Sequence, residues 1–335
     1  MKKLIFTILI IINSTYLFSQ IDYKNQSFDI GIESINDFRD FLLIKNDANY
    51  KSEMEPLIKW GIDNFKKYGF NVDILETPEL PLLLASKIVS EKAKTILIYL
   101  QFDGQPVDNS KWKQEDPYKA VLKEKINEKY EIIDWDTLKD ITMEDLIEKD
   151  LRIFARSSSD AKGPVMMMLS ALEIMKRNDI KLEYNVKVIM DFEEEISSPN
   201  LAAAVKKYSS KLKSDALFIF DGPKHPSNLP TLTFGARGIS DITLITYGPI
   251  VPQHSGHFGN YAPNPVFRMS EILSSMKDKD GRVVIEGFYD GITLDKETQE
   301  ILAGVPDNEK KMMEDMQFNT FDNVGSNYQE SIQYP

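Results

Sequence analysis

Val186-Lys187-Val188-Ile189-Met190-Asp191-Phe192-Glu193-Glu194-Glu195 is the stretch that decides the fold. A β-branched apolar run ends in four acids within five residues. A strand this apolar suits a parallel sheet buried on both faces. Acids at its C-terminal end then lie beside a core. Packing like-charged carboxylates there is costly unless something neutralises them. Either the cluster stands in solvent at a strand end, or it holds a cation.

The flanking sequence repeats the pattern. Residues 95–100 form an apolar strand that ends in Gln101-Phe102-Asp103-Gly104-Gln105-Pro106. Residues 216–220 form another, expected to be buried, which ends in Asp221-Gly222. A small-residue turn, Arg156-Ser157-Ser158-Ser159-Asp160-Ala161-Lys162-Gly163, opens a nearly all-apolar helix over residues 164–175. An amphipathic helix is expected over 200–212, and another over 53–68 with Pro56 in its first turn and Gly69 as its stop signal. Residues 71–75 and 82–85 read as further strands. Strands alternating with helices imply an α/β fold with a mainly parallel sheet flanked by helices. Ligand sites in such sheets lie beyond the C-terminal strand ends. Asp103, Asp160, Glu193 to Glu195 and Asp221 are therefore expected on one rim, the geometry of a multi-cation site.

The charged run from 124 to 150 reads as a solvated surface insertion. From Gly235 the pattern changes. Residues 239–246 alternate like a half-buried antiparallel strand, a helix follows Pro265, and residues 283–285 suggest one more strand. This predicts a second, α+β domain.

Composition narrows the chemistry. The chain of 335 residues carries a net charge of −12, which argues against nucleic acid or an anionic membrane surface as partner. It has no cysteine, which excludes disulfides, thiolate metal sites and cysteine nucleophiles. Its three histidines are His225, His254 and His257, so a metal site upstream of them must be built mainly from oxygen ligands. Met1-Lys2-Lys3, an apolar core over residues 4–12 and the small residue Ser19 predict a cleaved secretory signal peptide over 1–19, hence a periplasmic or secreted protein. No other segment is long and apolar enough to cross a membrane.

The strand and loop over 96–106, the turn over 156–163, the acids over 192–199 and the segment 254–265 together resemble a known family. This is the co-catalytic zinc metallopeptidase family of acetylornithine deacetylase, succinyl-diaminopimelate desuccinylase, aminoacylase and carnosine dipeptidase, with the dipeptidase branch the nearest. The resemblance implies a catalytic domain over 20–236 and an inserted α+β lid and dimerisation domain over 237–335. It implies two divalent metal ions, zinc first, with manganese or cobalt as alternatives. Asp160 matches the bridging ligand, Glu195 and Asp221 the terminal ligands, and Glu194 the general base. Asp103 matches the acid that orients a ligand histidine, and His254 the lid histidine that polarises the scissile carbonyl in a neighbouring subunit. The implied activity is metal-dependent hydrolysis of a dipeptide or N-acylated amino acid, in a homodimer when full length. Asp191 and Glu193 match no role and are expected in solvent.

Two positions depart from the family pattern. Gln101 stands where the first metal histidine belongs, a weaker zinc ligand than imidazole that would favour harder ions such as manganese or magnesium. No histidine follows His257, so both domains are expected to be incomplete at the C-terminus. An alternative that these departures raise is a catalytically silent member that serves as a peptide-binding or dimerising module.

Overall fold

The computed structural model describes residues 22–127, 129–222, 230–233, 235 and 238–334. The leader and the domain boundary expected at 236/237 lie outside the described residues. The chain divides into two compact units, Met1–Pro223 and Lys224–Pro335.

Among its described residues the first unit opens with three helices, α1 (Tyr23–Glu33), α2 (Ile35–Leu43) and α3 (Lys51–Lys67). Asp22 caps α1 by accepting from Asn25 N. Helix α3 begins two residues earlier than the sequence pattern suggests, which places Pro56 beyond its first turn. Strands β1 (Asn71–Leu75), β2 (Leu82–Lys87) and β3 (Thr95–Gln101) follow. Then come β4 (Val121–Ile126), β5 (Lys129–Ile133), helix α4 (Met143–Glu148) and β6 (Arg152–Phe154). Helix α5 (Lys162–Arg177) leads to β7 (Asn185–Asp191), the short helices α6 (Leu201–Lys207) and α7 (Ser209–Leu212), and β8 (Ala216–Phe220).

The central sheet has the order β1-β2-β7-β3-β8. Strand β3 pairs in parallel with both β7 and β8, while β2 runs antiparallel to β1 and β7. Only β2 therefore runs against the other strands, and the mainly parallel α/β sheet expected from the sequence is present. The register sets Gln101 beside Asp191 at the C-terminal ends of β3 and β7. Beneath that rim lies the main core, in which Leu57, Phe65 and Met54 of α3 and Val165, Met168 and Leu169 of α5 meet Leu83, Leu100, Val188 and Met190 of the sheet. Phe102 and Phe192, the first residues past β3 and β7, are fully buried with ring centroids 5.3 Å apart. Phe41 stacks on Trp60 at 3.6 Å beside them.

Several elements differ from expectation. The charged run from 124 to 150 lies largely at the surface, as expected, with Leu138 alone buried among its described residues, yet it is built into an ordered part of the fold. Strands β5-β4-β6 form a second, antiparallel sheet. Leu122, Leu138 and Leu151 form a small core of their own there. Lys123 is buried there with its ammonium 4.2 Å from the centre of the Phe154 ring, so a charged residue packs through its stem and a cation–π contact. The helix expected over 200–212 breaks at Tyr208. Helix α5 buries one face only, and Met167 on the other is exposed. Strand β8 is an edge strand rather than a buried one, with Leu217 56% and Ile219 61% exposed.

Among its described residues the second unit contains the helices α8 (Ser255–Phe258), α9 (Pro265–Met276), α10 (Lys296–Ala303), α11 (Glu309–Met316) and α12 (Tyr328–Ser331). Asn264 caps α9, with Pro265 at its first position. Residues 239–246 form no strand among the described residues, and the strand expected at 283–285 is reduced to a single bridge between Lys277 and Val283. The alternating pattern at 239–246 found no partner strand among the described residues, and without a ladder no strand forms.

At the start of β7, Asn185 fastens the strand that carries the acids. Its Oδ1 accepts from Val89 N and Ser90 N at 2.7 and 3.1 Å, and its Nδ2 donates to Ser90 O and Ala93 O at 2.9 and 3.1 Å. Asn185→Ala removes four bonds that tie a largely exposed loop to β7 and is expected to lower the unfolding free energy by about 1 kcal/mol, read from urea denaturation. A loss below a few tenths of a kcal/mol would show that water replaces the amide at no cost.

Candidate functional site

The parallel run of β3, β7 and β8 brings their C-terminal ends to one rim. Asp103 follows β3, the acids Glu193 to Glu195 follow β7, and Asp221 follows β8. Asp160 approaches from the turn before α5. A Cβ on Gly222 would lie 2.6 Å from Asp160 Cβ, so the chain beside Asp221 packs directly on Asp160. The sequence-derived carboxylates of the first unit are thus gathered together. His254 belongs to the second unit, where it is exposed and its Nδ1 accepts from Gly256 N at 3.0 Å.

Electrostatics report the crowding. Burial, then repulsion from Glu195, Asp221, Asp160 and Asp191, pushes the Glu194 carboxyl up to about 7. Burial followed by repulsion from Asp221 raises Asp160. Glu195 is raised chiefly by burial and further by Asp160 and Asp221, against opposing contacts from Gln105 and Arg156. Asp103 has no exposed surface, and its burial pushes it up to about 7 despite the backbone N–H groups that favour its charge.

The acids are held by a defined set of donors. Gln101, itself buried, donates its Nε2 to Asp160 Oδ1. Gln105 Nε2 donates to Glu195 Oε2 at 2.6 Å. Asp103 Oδ2 accepts from Glu195 N at 2.9 Å, so it positions the base-bearing loop directly, while its Oδ1 has no partner among the described residues. Arg156 lies over the Trp112 ring at 5.5 Å, donates to Pro106 O at 3.1 Å, and favours the charged forms of Asp160 and Glu195.

Asp191 and Glu193 are not in solvent. Both are buried. Asp191 Oδ2 accepts from Tyr99 Oη at 2.9 Å and Ser198 Oγ at 2.7 Å, and its Oδ1 accepts from Glu193 N at 3.0 Å. Burial and the Asp191 charge together hold the Tyr99 phenol well above its ordinary range. Glu193 Oε2 accepts from Asn200 Nδ2 at 2.8 Å. These two acids shape the loop, while Glu194 and Glu195 are left half-buried and facing the rim. Tyr99, Gln105 and Ser198 were not singled out in the sequence. Tyr99 could have been, because its side chain shares a strand with Gln101 at spacing two.

Among the described residues no three His, Asp or Glu side chains converge as a ready-made metal cage. The donor set nonetheless fits a divalent cation in its chemistry. Asp160, Glu195 and Asp221 are mutually repelling carboxylates, and Gln101 adds an amide whose oxygen and nitrogen exchange places by a flip. The set is all oxygen, which suits hard ions as well as zinc.

A mainly parallel α/β sheet with a carboxylate rim over its strand ends is the architecture to set beside known proteins. Residues 133–307 match Peptidase family M20/M25/M40, and the chain belongs to that family. It is 26% identical over 274 residues to the Cys-Gly metallodipeptidase DUG1 of Candida albicans, covering 76% of this chain and 51% of that protein. The M20 family metallo-carboxypeptidase Sso-CP2 from Sulfolobus solfataricus superposes with a TM-score of 0.64 at 25% identity, over 90% of this chain and 62% of that one. Human carnosine dipeptidase 1 superposes with a TM-score of 0.61 at 20% identity, over 92% and 63%. The chain spans about half the length of the curated relatives it matches.

The raised carboxyls set a pH dependence in the metal-free state. Asp103 has a folded value of about 7 against an ordinary 3.8. Between those values the folded chain binds more protons than the unfolded one, so this group's contribution falls as pH rises through the window and levels off above it. Asp103→Asn keeps an acceptor for Glu195 N but removes the ionisation. In chelator, the stability of wild type relative to this variant is expected to drop by on the order of 2 kcal/mol from pH 5 to pH 8. A difference that stays flat or rises with pH, measured by urea unfolding, would contradict the assignment.

Proposed function

We propose that this chain carries the carboxylate site of a metal-dependent dipeptidase. The observation that carries it is the gathering of Glu194, Asp160, Glu195 and Asp221 at one sheet rim, with Glu194 balanced near 7. Membership of the family supports the reading, as do relatives named as dipeptidases. Small dipeptides such as Cys-Gly or β-Ala-His are the substrate class we assign.

Asp160, Glu195 and Asp221 would hold the cation, with Gln101 turning its amide oxygen toward it. When bound, a divalent cation supplies Lewis acidity to a water and to the scissile carbonyl. Glu194 does the proton work. Its carboxylate takes the proton of the attacking water and returns it to the departing amine nitrogen, a task suited to a group that is half protonated near neutrality. Asp103 and Asp191 keep the Glu194 loop in place through Glu195 N and Glu193 N. Arg156 offsets part of the negative charge around Asp160 and Glu195. Zinc is the first metal to test and manganese the second, since the donor set lacks an imidazole among the first unit's described residues. Export by the leader at 1–19, which rests on the sequence of that segment, belongs to the same proposal, as do a homodimer when full length and polarisation of the scissile carbonyl by His254 of a second copy, which rest on the resemblance.

Glu194→Gln preserves size and removes the base. On a Cys-Gly or β-Ala-His substrate it is expected to lower kcat by about 100-fold or more with little change in KM. Chelation should abolish the wild-type activity, and manganese or zinc should restore it. Full activity in the variant would remove Glu194 from the mechanism.

A further inference from the structure

Two buried polar side chains below the rim have no part in the chemistry just described. Asn46 lies in the loop after α2 and is fully buried. Its Nδ2 donates to Phe102 O at 2.9 Å and to Ser157 Oγ at 3.0 Å. Its backbone carbonyl accepts from Gly104 N at 2.8 Å. Its Oδ1 has no partner among the described residues. Lys162 is also fully buried, at the start of α5. Its Nζ donates to Phe41 O at 2.9 Å and to Ile44 O, at the C-terminal end of α2, and lies 4.9 Å from the Phe41 ring centre.

These contacts join the segments that carry the acids. Phe102 and Gly104 flank Asp103, whose carboxylate takes Glu195 N. Ser157 opens the turn that carries Asp160, and its carbonyl accepts from Lys162 N at 3.0 Å. Asn46 therefore stands between the turn that carries Asp160 and the loops that carry Asp103 and Glu195. The joint is tight. A Cβ at Gly104 would sit 2.2 Å from Ser157 Oγ and 2.8 Å from Asn46 Nδ2. A buried amide with half its hydrogen-bonding capacity unused is a poor choice for stability alone, because an apolar side chain would fill the space without that penalty. Its value lies in what its two donated bonds fix.

We propose that Asn46 is a positioning residue that sets the separation of the Asp160 turn from the Asp103–Glu195 loop by clamping Phe102 O and Ser157 Oγ with one amide, while Lys162 anchors the far side of the same turn to α2. As a statement about catalysis this rests on the metal-site reading above. Asn46→Ala removes both bonds and Ser157→Ala removes one, leaving a smaller perturbation if the first variant folds poorly.

Amide hydrogen exchange on the whole chain in chelator gives a readout that needs no metal. In both variants the Glu195 and Lys162 amides are expected to lose at least tenfold in protection, while the β7 amides of Val188 and Met190 keep theirs. Equal loss at all four sites, or none at Glu195 and Lys162, would overturn the proposal, since the first marks a general loss of stability. Titration with manganese alone forms the second arm, and both variants are expected to bind it at least fivefold more weakly than wild type. Unchanged affinity with altered exchange would overturn the positioning role. Absence of binding in wild type would instead overturn the metal-site reading, with the exchange result still deciding whether Asn46 is the joint.

Discussion

Mutual repulsion among carboxylates that cannot move apart governs this structure. Three parallel strands end on one rim, and each delivers an acid there. Directly beneath, Phe102 and Phe192 form a dry aromatic floor fully closed to water. The sequence sets both features side by side: Phe102 is followed by Asp103, and Phe192 by the loop that carries Glu194 and Glu195. Charge and low polarity are thereby forced together, and Glu194, Asp103 and Asp160 all resist ionisation as a result. A domain with only its own stability to serve would gain by replacing any of these acids with an amide.

The chain keeps the acids in place with donors that carry no charge. Gln101 and Gln105 hold Asp160 and Glu195 by single amide bonds, Tyr99 and Ser198 hold Asp191, and the backbone of Glu195 holds Asp103. Neutral donors orient a carboxylate without cancelling it. The cluster thus stays ordered with most of its charge uncompensated, which is the state a cation site needs before it is filled. Arg156 at the edge offsets part of the charge through Asp160 and Glu195.

Much of this was legible in the sequence, for a physical reason. Apolar runs ending in acids fix both the strand and the side of the sheet on which the acids fall, so Asp103, Glu194, Glu195 and Asp221 could be placed on one rim before any coordinates. Partners distant in sequence could not be found that way. Asn46 meets Ser157 111 positions later, and nothing local marks either residue. Asp191 and Glu193 looked solvated because acid clusters usually are, yet their partners Tyr99, Ser198 and Asn200 pull them inward. The run from 124 to 150 gave no sign of the sheet and small core beneath it, because Leu122, Leu138 and Leu151 are too widely spaced to show a period, although together they make that core. The opposite error occurred in residues 239–246, where a clear alternation met no neighbouring strand.

Equilibrium titration of the metal-free chain with manganese or zinc, followed by calorimetry and by the thermal midpoint, tests the central claim most directly. The account predicts saturable binding that raises the midpoint in wild type and is lost in Asp160→Asn, whose fold is retained. Absence of saturable binding in wild type, or binding that survives unchanged in Asp160→Asn, would contradict it.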